Sequence, residues 1–208
     1  MGKIKIILAG FLIITSGIQV LAQSTAYKKT IEGFQSSYLS EATGDLNQAI
    51  QQLKDIYEED SYEINLRLGW LTYSAGQFTE SYSYYNRALS LRSFAIEPRF
   101  GLIYPAAAMG NWDVVIKQYN QIIETAPGNT IAMHRLGLVY YGRKEYNKAE
   151  KLFEKVVNLY PFDYDALSML AWTKYQLKKY REAKVLFNKA LMNTPGGQSA
   201  IEGLELLE

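Results

Sequence analysis

Pro127, Pro161 and Pro195 stand 34 residues apart, and the residues before each of them recur in the same order. A period of this length constrains a chain to a solenoid of stacked helical hairpins, because one hairpin cannot bury its apolar face without neighbours. Counted from the residue before each first helix, the units are 30–61, 62–95, 96–129, 130–163 and 164–197, with 198–208 left over. The fifth unit carries Leu170, Ala171, Tyr180, Ala183, Phe187, Ala190, Leu191 and Pro195. The fourth repeats this order in Leu136, Gly137, Tyr140, Tyr146, Ala149, Phe153, Val156, Val157 and Pro161. The third has Leu102, Gly110, Trp112, Tyr119, Ile122, Ile123 and Pro127; the second has Leu68, Gly69, Gly76, Phe78, Ser81, Tyr85, Ala88 and Leu89, with Ser93 in place of proline. The first unit is two residues shorter and keeps Gly44, Leu46, Ala49 and Leu53.

Spacings of three, four, seven and eight put the recurring residues on one buried stripe of each helix. Gly137 and Ala149 are expected where the two helices of the fourth hairpin cross most closely, with Phe153 and Tyr146 filling the space beside them. Each proline removes a donor and fixes its own φ, which ends a helix and starts the turn into the next unit.

This pattern resembles the tetratricopeptide repeat over residues 30–208, most fully in units four and five. The resemblance implies an all-α, right-handed superhelical solenoid of about five helix-turn-helix repeats, with 198–208 as a C-terminal capping helix. It also implies that the first helix of each unit faces a concave groove, with ligand contacts at its second, fifth, ninth, twelfth and thirteenth positions. Carried onto this chain, these positions give a groove of Tyr38, Trp70, Tyr73, Phe100, Tyr104, His134, Tyr141, Trp172 and Tyr175. Trp172 and Tyr175 lie off the stripe that the hairpin contact uses, so they are expected to face the groove rather than the core. The alternative reading places these aromatics in the core. Relatives that hold acidic carboxyl termini carry basic residues and asparagine where this chain has Leu66, Trp70, Phe100, Tyr104, His134 and Leu138, which argues against a carboxylate clamp. Arg67, Arg99 and Arg135 read as ordinary surface charges.

Lys3 and Lys5 precede an apolar run from Ile6 to Ile14, and Val20-Leu21-Ala22 precedes Gln23. This is the layout of a cleaved signal peptide over residues 1–22, with 23–29 as a leader. The alternative is a retained membrane anchor over residues 6–22. Export with no cysteine to form disulfides points to the bacterial periplasm or to secretion. Of 22 basic residues, two fall within residues 1–22, so after cleavage 20 would stand against 21 acidic ones. That balance lacks the footprint of a nucleic-acid binder.

His134 is the only histidine, and no nucleophile elbow, phosphate-binding glycine loop or His-Glu-x-x-His occurs. No catalytic residue, cofactor or metal site is expected. Glu150, Glu154, Lys151 and Lys155 interleave at helical spacing and read as a solvated face. In unit three, Ile103 and Val115 replace the small residues of its neighbours, and Pro105 falls inside the first helix, so a wider crossing and a bend are expected there. The sequence thus points to a protein-interaction adaptor of the cell envelope that holds a protein or peptide. It binds no nucleic acid, and it meets a membrane only if the N-terminal segment over residues 6–22 is retained. A glycan-binding module and a structural subunit that oligomerises through its convex surface are the alternatives.

Overall fold

The computed structural model describes residues 27–208; the expected signal peptide, its cleavage point and the start of the leader lie outside these. Every regular element among the described residues is a helix. They are α1 (27–42), α2 (Leu46–Lys54), α3 (Tyr62–Ser74), α4 (Phe78–Leu91), α5 (Glu97–Ala108), α6 (Trp112–Thr125), α7 (Thr130–Gly142), α8 (Tyr146–Leu159), α9 (Tyr164–Gln176), α10 (Tyr180–Asn193) and α11 (Gln198–Glu205). Two compact units form, with the boundary between Ser93 and Phe94. The first holds α1 to α4 around Ala49, Ile50, Leu53, Ile64, Leu68 and Leu71. The second holds α5 to α11, with Phe153 and Phe187 as its largest wholly buried side chains.

One turn recurs inside every hairpin. The last helical turn closes through a residue with positive φ at 44, 76, 110, 144 and 178. In each case its N–H and that of the next residue donate back to the preceding helix, as Gly76 does to Tyr73 (2.9 Å) and Gln77 to Thr72 (2.8 Å). This is a Schellman closure, which satisfies carbonyls the helix leaves open. Glycine supplies the left-handed residue in the first three hairpins, and Lys144 and Lys178 supply it in the last two.

The turns between hairpins obey the other rule. Ala126, Tyr160 and Thr194 precede the three prolines with φ from −135° to −126° and ψ from 77° to 85°, outside the helical region as a following proline demands. Asp45, Ser61, Asn111, Asn129 and Asp163 each cap a helix by accepting from an N–H three residues on.

At the crossings, a small residue on the first helix lies under an aromatic ring from the second. A Cβ at Gly137 would stand 2.7 Å from the Phe153 ring, and one at Gly69 would stand 2.9 Å from Tyr85. The Ser81 hydroxyl donates across the second crossing to the Gly69 carbonyl (2.7 Å). Phe153 therefore lies over Gly137, and Tyr146 sets its ring edge-on to Tyr141 (5.4 Å). In unit three, Ile103 and Val115 are buried. α5 itself runs uninterrupted through Pro105, and Met109 N–H still donates to the Pro105 carbonyl (3.0 Å). The proline lies within a turn of the C-terminus, where few bonds are at stake, so the helix continues past it.

Candidate partner-binding surface

In the first compact unit, Tyr38 and Trp70 are exposed and Tyr73 is half-buried. Their positions are set by Glu41, on the last turn of α1. It accepts from Arg67 on α3 and from the Trp70 indole N–H (2.8 Å). The Arg67 guanidinium in turn lies 3.9 Å from the centre of the Tyr38 ring. Only 10% of the Arg67 side chain is exposed, so it is not the ordinary surface charge expected from sequence. Its stem is covered by neighbours and its charge is answered by Glu41 and the ring face. The hydrogen bond from Arg67 holds the Glu41 carboxyl below the usual carboxylate range, against a smaller opposing effect of burial. Two exposed aromatics are thus fixed by one carboxylate and one guanidinium, while Tyr73 packs between Trp70 and Phe78.

The second compact unit distributes its aromatics differently. Tyr104 is exposed, and Phe100 is half-buried with its edge toward Tyr119 (6.4 Å). His134 is half-buried at 5.5 Å from Phe153, and its Nε2 is buried without a hydrogen-bond partner. Burial lowers the His134 pKa, opposed by Asp165 and Asp163. Tyr141 is half-buried against Tyr146 (5.4 Å), and burial raises its pKa.

Trp172 and Tyr175 depart from expectation. Trp172 sets its edge on Phe187 (5.1 Å) and donates its indole N–H to Ser199 on α11 (2.8 Å). Tyr175 packs on Trp172 and Tyr180, and Trp172 and Tyr175 are half-buried against the core cluster around Phe187. A lone hairpin would have left them off its buried stripe, but α11 reaches Trp172 through Ser199. Trp112 errs the other way: read as part of the buried pattern, it is 48% exposed.

A buried ionic cluster was also missed. Lys174, on α9, is 7% exposed and pairs with Glu150 (2.7 Å), Glu154 (2.8 Å) and Glu182 (2.8 Å), while Lys179 pairs with Glu150 (2.6 Å). Burial opposes the charge of Lys174, yet hydrogen bonds to the three glutamates outweigh it and raise its pKa. Glu150 is therefore buried rather than part of a solvated face. The signal was the glutamate's partner 24 residues on, which spacing within one helix cannot reveal. Beside the cluster opens a surface cavity of about 650 Å³ lined by Val157, Leu170, Arg181 and Leu186 among others.

Among the described residues, no three His, Asp or Glu side chains are grouped to hold a metal, and no helix is long and apolar enough to cross a membrane. Profiles of the tetratricopeptide repeat match residues 62–94 and 130–192. No functionally curated protein matches the sequence. Among solved structures, a tetratricopeptide repeat protein from Parabacteroides merdae is similar with a TM-score of 0.75 and 23% identity, covering 86% of this chain and 72% of its own. The MamA protein is similar with a TM-score of 0.71 and 21% identity, covering 80% of this chain and 92% of its own. YrrB, described as a repeat protein with an unusual peptide-binding site, is similar with a TM-score of 0.69 and 14% identity, covering 86% and 93%. These likenesses show an all-helical solenoid fold.

Proposed function

Because the chain is a tetratricopeptide repeat protein, we propose that it is a non-catalytic adaptor of the cell envelope that binds a peptide or partner protein through the aromatics of its first helices. The observation that carries this reading is the pair Tyr38 and Trp70, exposed yet held in place by Arg67 and Glu41. Rigid, exposed rings with a polar tip offer contact area at little entropic cost, as binding surfaces require. The peptide-binding site named for YrrB supports the class of ligand. The envelope location rests on the lysine-flanked apolar run of residues 1–22.

The triple variant Tyr38→Ala, Trp70→Ala, Tyr104→Ala tests it, since all three rings are exposed and none belongs to a buried cluster. The expected result is an unchanged helical circular dichroism spectrum and loss of partner capture from an envelope extract. Capture that survives in the variant refutes the role of these rings. Loss of binding to peptidoglycan alone would favour a glycan ligand, whose sugar rings can also stack on tryptophan and tyrosine.

A further inference from the structure

In units two, four and five, the first residue of the second helix packs its ring on the twelfth residue of the unit. The pairs are Tyr73 and Phe78 (5.7 Å), Tyr141 and Tyr146 (5.4 Å), and Tyr175 and Tyr180 (5.4 Å). Unit three has Ala107 at the twelfth position, so Trp112 finds no ring there. Half of Trp112 is left exposed, and it forms one wall of a cavity of about 490 Å³ whose other walls are Leu138, Val139, Gly142 and Arg143. Gly142 keeps the cavity open. Other units place Ser74, Ala108 and Gln176 at its position, and a Cβ on it would meet nothing within 4 Å. Two departures from the repeat, Ala107 and Gly142, thus leave Trp112 uncovered and the space beside it open.

The pocket has one charged wall. Arg143 is 3.7 Å from Asp113 and 3.5 Å from Glu145, and Glu145 is held more closely by Lys148 (2.6 Å). Neither carboxylate forks onto the guanidinium, so its geometry for a bidentate partner is unused. A volume of this size suits a large side chain, and the wall chemistry requires that side chain to be apolar with an anion beside it.

We propose that this pocket takes one bulky apolar side chain of an extended peptide segment, while an aspartate or glutamate adjacent in the peptide pairs with Arg143. The proposal rests on the peptide-binding reading above and adds to it a pocket and a sequence preference. Charge complementarity fixes the preference, because a lysine in the same place would meet Arg143 in repulsion.

The test is an array of end-capped peptides in a glycine-serine background, each carrying one Leu, Phe or Trp flanked by Glu, by Lys or by Ser, probed with the full chain. Acid-flanked peptides are expected to be retained and lysine-flanked ones not. Gly142→Leu fills the pocket and should weaken retention at least tenfold with an unchanged helical spectrum, since the position is helical and open. Arg143→Glu should turn the preference toward lysine-flanked peptides, an outcome that misfolding cannot mimic. Retention indifferent to the flanking charge, retention unaffected by Gly142→Leu, or no retention at all overturns the proposal. So does concentration-dependent self-association that Gly142→Leu abolishes, which would make a second copy of the chain the occupant. Neither variant touches Tyr38, Trp70 or Tyr104, so capture that depends on those rings would stand even if the array is blank.

Discussion

Lys144 and Lys178 hold φ of 60° at a turn position that three other hairpins give to glycine. An L-residue pays about 1 kcal/mol to stand in this region, because its Cβ crowds the neighbouring carbonyl, and glycine avoids that cost. Lys144→Gly and Lys178→Gly are therefore each expected to stabilise the fold by about 0.5–1 kcal/mol, read as a raised midpoint in urea with an unchanged slope. A lowered midpoint would mean that the lysine side chains contribute more than the strain costs. The turn was legible at this scale, since Gly76 and Gly110 recur in phase and each unit's buried stripe follows local spacing. Arg67 and Glu150 were not legible. A charged residue's fate depends on what a different helix brings to it, and Glu41 and Lys174 are supplied from 26 and 24 residues away. The same holds for Trp112, whose exposure is decided by Ala107 on the opposing helix.

Among the elements, α11 is short, eight residues, and its seat depends on one glycine. A Cβ at Gly203 would fall inside contact distance of three Phe187 ring atoms, so Gly203→Leu cannot be accommodated without lifting the helix or turning the ring. Overpacking of this kind costs about 1–3 kcal/mol, and the melting temperature should fall by several degrees. Lifting α11 also takes Ser199 from the Trp172 indole, so tryptophan emission should shift to the red in the native state. An unchanged emission maximum and melting curve would show that the helix contributes nothing to that core. Its contact with Trp172 explains why a position that one hairpin would leave open is half-buried here. The helix carries the apolar residues Ile201 and Leu204 that the sequence displays, but which rings they would cover was a question of docking angle, and periodicity holds no angle.

Across the whole molecule, the repeat period was the most legible property, because each hairpin needs only local turns and a single stripe to form. The boundary between the two compact units falls at Ser93, where the proline pattern lapses. Residues 94–208 contain their own buried core, including Leu102, Leu136, Phe153 and Phe187. Expressed alone, they are expected to give a helical spectrum and a cooperative thermal transition; a gradual, featureless melt would show that this unit depends on residues 27–93. The ionic cluster at Lys174 gives the array a further property. Its glutamates at 150 and 154 belong to the fourth repeat, and its lysines at 174 and 179 and its glutamate at 182 belong to the fifth. Charges shared across that seam are complementary only to each other, so a fourth repeat copied or transplanted without the fifth would carry an unanswered buried acid. The fourth and fifth repeats are therefore expected to tolerate shuffling only as a pair, as are the first and second through Glu41 and Arg67.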